Sequence, residues 1–448
     1  MPNLFARAAS LLLCDSGEYA SDPDALLLLE LLGYAEFSAV FGKSSAEAHH
    51  RGRLLMLASR FVRVFELDAP EAPGLVCFGA EIDPAMADPL HAGDPIVSVS
   101  GVGPSPQEAF QGCVGEGIEY LSQLQTGKDV LELPGPNDPA AGYGPGTRQF
   151  LAAFSACRLS PDAELSWHRA MRLGDRREAL LPADLCLRRP LNQREIRPPF
   201  PLSTGSAAGT SWGAAALHGL LEAIERDAAS LWWWGGNRGR LIPPQDEADV
   251  AAHALLARLR QNASARRSWL LDITTDIGVP SVAAVSCKAD GFGLAFGLAA
   301  RPTLTAAACA AVLEMCQGEL AYAVVEAKCR ERGEAALNAR DRVHRRRATA
   351  VNADRCLLLH PVAEPVEHLA IDSTDANAVL RLITTRLERF GIETFTLNLT
   401  RAHFGIPAAR VIAPGLQPEP SEIVMPRLAD MMARTGGGAI YTGGVALI

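Results

Sequence analysis

Eight residues of this 448-residue chain have types and spacings that could do chemistry. Glu116 and Glu119 stand three residues apart, Glu222 and Glu225 repeat that spacing, and Glu314 with Gln317 repeats it once more. In each copy an alanine (Ala109, Ala215, Ala307) lies seven residues before the first acid. In the first two, a glycine (Gly103, Gly209) lies six residues before that alanine. Ser203 opens the run STGSAAG ahead of the second copy, and Arg226 follows its second acid. Residues three apart are neighbours on a helix surface. Carboxylates side by side repel unless a proton or cation joins them, and a hard ion such as Mg²⁺ takes such oxygens and shares them with phosphates. A single ExxE is most often a solvent-facing pair. Three copies behind matched small residues point instead to closely packed helices that bring five carboxylates to one site, suited to magnesium-bound nucleotide.

Other sites are excluded by pattern. The chain has no GxxxxGK[ST] loop, no HExxH and no GxSxG elbow. Gly142, Gly144 and Gly146 lie in the Gly/Pro-rich stretch 132–148, which reads as a connector: no strand precedes the glycines and no suitable amphipathic helix follows. His218 falls in the second acid-bearing helix and reads as a packing or hydrogen-bonding residue rather than a base. Ten cysteines without a CxxC pair read as thiols of a reducing compartment, which places the chain in the cytoplasm.

The elements that must position the acids follow from periodicity. Leu217, Leu220, Leu221, Ile224 and Ala228 form a buried stripe at helical spacing. Ala25–Tyr34 predicts a short apolar helix, and Leu54–Phe65 reads as helix or strand. Near the end, a helix over 376–390, a turn at Gly391 and a strand over 393–399 precede another strand and a Pro-Gly loop within 407–420. The irregular alternation favours an α+β fold over a doubly wound sheet. The arginine-bearing stretches 184–201 and 330–347 read as solvated helix and loop. With 48% hydrophobic and 21% charged residues the chain is an ordinary folded one, and its length is a soft prior of about three domains. A net charge of −9 argues against a nucleic-acid or anionic-membrane binder. The most apolar stretch, 303–325, contains Glu314 and Glu319, so no membrane span is read.

These residues resemble the YcaO family. STGSAAG at 203–209 with ALHGLLEAIERDAASLWWW at 216–234 is similar to its most specific signature. SGVGPSPQEAFQGCVGEGIEY at 100–120 resembles its first acidic motif, AACAAVLEMCQ at 307–317 its third, and IPAARVIAPGL at 406–416 its distal strand. Trp232 and Trp233 after ERDA resemble the branch that makes azolines in ribosomally made peptides. The resemblance implies a YcaO-type fold, with mixed or antiparallel sheets and acid-bearing helices around an ATP site. The domains would be an N-terminal α/β segment at 1–94 and an ATP-binding catalytic domain at 95–448. It implies ATP and Mg²⁺ as cofactors, with Glu116, Glu119, Glu222, Glu225 and Glu314 as magnesium and nucleotide ligands. Ser203, Arg226 and Gln317 are further nucleotide contacts, and no general base is assigned.

The implied reaction is ATP-dependent cyclodehydration of a precursor peptide's Cys, Ser or Thr to thiazoline or oxazoline. The implied partners are that peptide, a leader-binding ubiquitin-activating-like C protein, an FMN-dependent azoline dehydrogenase and a second copy of the chain. Four departures stand out. Val102 replaces a usual Lys, Tyr120 a usual Arg and Thr204 a usual Asn, and Glu319 stands where an Arg often follows the third motif. The loss of three positive charges beside the phosphates keeps open a non-catalytic scaffold role. Thioamide or amidine formation is the other open outcome.

Overall fold

In the computed structural model, which describes residues 3–13, 22–34, 46–133, 142–160 and 164–448, the three acid-bearing helices begin alike. Ser105, Ser211 and Thr303 each hold an extended backbone and accept the N–H of the residue three ahead on their hydroxyl. Such N-caps contribute about 1 kcal/mol each and set where a helix starts. Counted from the cap, the alanine is four residues on, the first acid eleven, and the second acid or amide fourteen. The shared spacing is therefore a shared distance along a helix.

In chain order the elements are α1 (Leu4–Leu13), α2 (Pro23–Leu31), α3 (Ala46–Ala58), β1 (Arg63–Glu66), β2 (Val76–Ile82), β3 (Val97–Gly103), α4 (Pro106–Gln123), α5 (Pro145–Ser155), β4 (Trp167–Arg172), β5 (Glu178–Pro182) and α6 (Ala183–Cys186). Then come β6 (Ser206–Ala208), α7 (Trp212–Trp233), α8 (Glu247–Arg260), β7 (Arg267–Asp272), β8 (Ser281–Cys287), β9 (Ala295–Ala300) and α9 (Leu304–Arg332). The last are α10 (Ala339–Ala350), α11 (Ala376–Glu388), β10 (Phe395–Asn398), β11 (Ala408–Ile412), α12 (Pro426–Thr435) and α13 (Ala439–Thr442).

The strands form sheets of order β1-β2-β3, β5-β4-β10-β11-β6 and β7-β8-β9, and every pairing between them is antiparallel. The fold is α+β, as the irregular alternation predicted. Each sheet carries one acid-bearing helix: α4 lies on β3, α7 on β11 and β6, and α9 on β9. Glycines permit the close approach. A Cβ at Gly101 would stand 2.1 Å from the Cys113 nitrogen of α4, and one at Gly297 would stand 2.2 Å from the Ala311 oxygen of α9. Gly205, at φ +84, and Gly219 do the same for α7, where a Cβ on Gly219 would stand 2.4 Å from the Gly205 oxygen. β2 and β3 pair along seven residues, so one sheet spans positions 94 and 95.

By length and composition α9 is the one helix among those described that could cross a membrane. Here it packs on β8, β9 and α8, with Ala307, Ala311 and Met315 buried.

Three readings are corrected. The 54–65 stretch is neither one helix nor one strand: α3 ends at Ala58 and β1 begins at Arg63. The 132–148 connector ends at Gly144, because Pro145 starts α5, an amphipathic helix that buries Phe150, Leu151 and Phe154; residues 134–141 lie outside the described set. The arginine stretches are not simply solvated. Arg189 is buried between Asp184 and Glu195, and Arg347 is buried against the Leu447 carbonyl. Trp232 and Trp233 are core residues, fully buried and hydrogen-bonded to the carbonyls of Leu358 (3.0 Å) and Val445 (2.7 Å).

Candidate active site

The first acid of each helix reaches back to the strand just before it. Glu116 accepts the Ser100 N–H at 2.9 Å, Glu222 that of Gly205 at 3.0 Å, and Glu314 that of Leu298 at 3.0 Å. The second position of each helix crosses to the next unit. Glu119 of α4 accepts the Ala208 N–H of β6 at 2.9 Å, and Glu225 of α7 accepts the Ala300 N–H of β9 at 3.3 Å. Gln317 of α9 donates to the Ser100 hydroxyl of β3 at 3.1 Å. First unit bonds to second, second to third, and third to first. The six residues close a cycle.

Charge is concentrated along this cycle. Desolvation raises the pKa of all five carboxyls. Glu119 is pushed up to about 8, first by desolvation and then by the charges of Glu222 and Glu116, against the Ala208 N–H. Glu314 is pushed up to about 7 by desolvation and by Glu225. Arg226 lies 3.4 Å from Glu225 and 3.6 Å from Glu222. Burial opposes its charge, but Glu225, Glu222 and Glu314 outweigh that and hold its pKa above the ordinary value. Even with Arg226, Arg301, Arg340 and Arg410 acting on them, five carboxyls outnumber the guanidiniums, an imbalance that a divalent ion with its phosphates can relieve. Among the described residues no three His, Cys, Asp or Glu side chains converge to hold an ion by themselves. The donor set fits magnesium nucleotide. Ser203 stands on the exposed turn two residues before Gly205 and is not bonded into the cycle.

Several basic groups at the site escaped the sequence reading. Arg301, directly after β9, acts on Glu225, Glu314 and His218. Arg340 acts on Glu116, and Arg410, buried in β11, on Glu222. His218 lies one turn before Glu222 with its ring bonded to the Ala208 backbone, and desolvation with Arg301 lowers its pKa. The signal for Arg410 was a lone charge inside the apolar strand AARVI.

The four departures sort differently. Glu319 does not face the site: it is 2% exposed and held by Arg260 (2.7 and 2.9 Å), Arg266 (3.0 Å) and the Ser286 hydroxyl. Five residues past Glu314 is about 140° further round the helix, so the two side chains point to different neighbours. Tyr120 packs beside the N-terminal core with Arg188 stacked over its ring at 5.3 Å. Val102 packs beside the α9 core. Thr204 lines a small cleft with Ala223 and Arg410.

Comparison with known proteins identifies the family and the fold. Residues 100–417 match the family model described as YcaO cyclodehydratase, ATP- and Mg²⁺-binding. A structure described as a heterocyclase in complex with substrate and cofactor superposes with a TM-score of 0.66 at 21% identity, over 88% of this chain and 55% of the other. This chain thus spans about half the length of that protein. YcaO from Methanopyrus kandleri, bound with AMPPCP and Mg²⁺, gives 0.55 at 18% identity over 82% and 89% of the two chains. The E. coli microcin synthetase McbBCD complex gives 0.55 at 15% identity over 79% and 87%. With the shared fold, the repeated acid pairs and a family match over most of its length, the chain belongs to the YcaO family.

Proposed function

We propose that the chain is an ATP-dependent cyclodehydratase that converts Cys, Ser or Thr of a ribosomally made precursor peptide to thiazoline or oxazoline. The observation that carries this reading is the closed cycle of five carboxyls and one amide, in a family described as binding ATP and Mg²⁺. Glu116, Glu119, Glu222, Glu225 and Glu314 hold magnesium and nucleotide, with Arg226, Gln317 and Ser203 as nucleotide contacts. Bound magnesium supplies charge neutralisation of the phosphates.

A thiol or hydroxyl of the substrate attacks the preceding backbone carbonyl and gives up its proton. The resulting oxyanion takes the γ-phosphoryl group of ATP, leaving ADP. Phosphate then departs with the former amide oxygen, the amide nitrogen loses its proton, and the ring C=N bond forms. An amide oxygen is a poor leaving group, and phosphorylation removes that obstacle. The protein's share is positioning and electrostatics. Arg226, fixed by Glu222 and Glu225, is a planar, permanently charged donor for phosphate.

The partners on this reading are the precursor peptide, a leader-binding C protein of ubiquitin-activating-like type and an FMN-dependent azoline dehydrogenase, with the chain acting as a homodimer in the cytoplasm. Similarity to a protein of the microcin synthetase complex and to a heterocyclase described with substrate bound supports a peptide substrate and synthetase partners. Mass spectrometry of the precursor incubated with this protein, its partner, Mg²⁺ and ATP tests the reading. Loss of one water mass per modified residue, abolished by Glu225→Gln, is expected. Exchange of oxygen for sulfur would point to thioamide formation. An unchanged mass with partner and peptide bound would point to the scaffold.

A further inference from the structure

Behind α7, away from the carboxylate cycle, lies a cavity of about 780 Å³, within the size range of ligand pockets. None of the eight site residues lines it. Three guanidiniums face it without a carboxylate partner among the described residues. Arg240 donates to the Thr274 carbonyl at 3.1 Å, and its Nε is buried with no hydrogen-bond partner among the described residues. Arg386 donates to the carbonyls of Asp276 and Ile277, each at 3.0 Å. Among the described residues Arg434 donates to the Met431 sulfur, at 3.5 Å. A fourth, Arg427, is paired twice, to Asp276 at 2.7 Å and to the fully buried Asp227 at 2.9 Å. Asp227 directly follows Arg226, about 100° round α7 from it.

Arg240 and Arg386 are half-buried and Arg434 is exposed, and the planar fork of each suits a carboxylate. Three carboxylates, Glu367, Asp430 and the Arg427-paired Asp276, share the wall and disfavour a continuous polyanion such as nucleic acid. Leu231 and Met431 add apolar floor. Spaced acids on an otherwise neutral chain satisfy all of these at once. We propose that this cavity is a second binding site that takes a segment of polypeptide bearing spaced Asp or Glu side chains. That the segment belongs to the precursor peptide rests on the function proposed above; the binding itself does not.

The probe is fluorescein-labelled Gly-Glu-Gly-Glu-Gly-Glu-Gly, with the Gln-for-Glu peptide as control, titrated with the full chain by fluorescence anisotropy at low and high salt. The acidic peptide is expected to bind about tenfold tighter than its amide twin, the strength of one charge-assisted contact, and to weaken with salt. Arg434→Gln, at an exposed position, and Arg240→Gln with Arg434→Gln should each weaken it several-fold while AMPPCP affinity stays unchanged. Equal affinity for both peptides, indifference to Arg434→Gln, or no binding of either peptide overturns the proposal. Glu225→Gln should keep peptide binding intact. Binding retained without any modification of the precursor would therefore sink the cyclodehydratase reading and leave this site standing.

Discussion

Glu119→Gln should make the free protein more stable and the nucleotide-bound protein less so. The Glu119 carboxyl is raised to about 8 from the ordinary 4.5, a difference of about 3.5 units at about 1.4 kcal/mol each. A carboxyl raised in the folded state gives stability that is present below its unfolded value and is lost as pH rises toward the folded one. Between pH 5 and 8 the folded chain keeps a proton that the unfolded chain releases, so stability falls by about 1.4 kcal/mol per pH unit from this group alone. Glutamine carries no such proton, and its amide oxygen still accepts the Ala208 N–H. The variant's advantage should therefore grow from near zero at pH 5 to about 2–4 kcal/mol at pH 8, allowing for the partial solvent access of the side chain. Urea unfolding at a series of pH values, read by the fluorescence of the buried Trp232 and Trp233, measures it. Neighbouring acids titrate in both proteins and largely cancel in the difference. Mg²⁺ with AMPPCP at a hundred times its wild-type Kd should stabilise wild type by about 2.7 kcal/mol and the variant by far less. A difference that does not change with pH, or a variant less stable than wild type at pH 8 without ligand, would refute the reasoning.

Three further outcomes follow from the packing. Glu319→Gln leaves Arg260 and Arg266 buried without their counter-charge and should cost about 3–5 kcal/mol in urea unfolding, with AMPPCP affinity unchanged. Gly297→Ala places a Cβ 2.2 Å from both the Ala311 oxygen and the Met315 nitrogen. It should lower stability by about 1–3 kcal/mol and, by lifting α9 from β9 and breaking the Glu314–Leu298 bond, weaken AMPPCP binding at least about tenfold on calorimetric titration. Trp233→Phe orphans the buried Val445 carbonyl and should cost about 1–3 kcal/mol; calorimetric titration should find AMPPCP affinity as in wild type.

The helices and their acids were legible in the sequence because everything that sets them is local. A cap, an alanine one turn in and acids at eleven and fourteen are distances along one helix, and a helix converts them directly to direction. The crossing from each helix to the next unit was not legible, since Glu119 and Ala208 are 89 positions apart and only packing relates them. Arg301, Arg340 and Arg410 were missed for a related reason: they come from a loop, a helix start and a strand that share no period with the acids. Glu319 was misread because alignment with a motif ignores the angle round the helix, and five residues on is a different face. The stretch 54–65 showed apolar residues without a clean period because it contains the end of one element and the start of another.

The closure of the acid cycle also has a meaning in time. Its last link, from Gln317 to Ser100, spans 217 positions. During synthesis Glu116 and Glu119 leave the ribosome early, but β9 and α9, which complete the ring, emerge much later. Until they do, Glu225 lacks the Ala300 N–H and Ser100 lacks the Gln317 amide, so the cycle stands open. An emerging chain is thus spared, until late, the full crowding of its five carboxyls. On the function proposed above, the ability to take up nucleotide arrives late, when the third unit docks on the first.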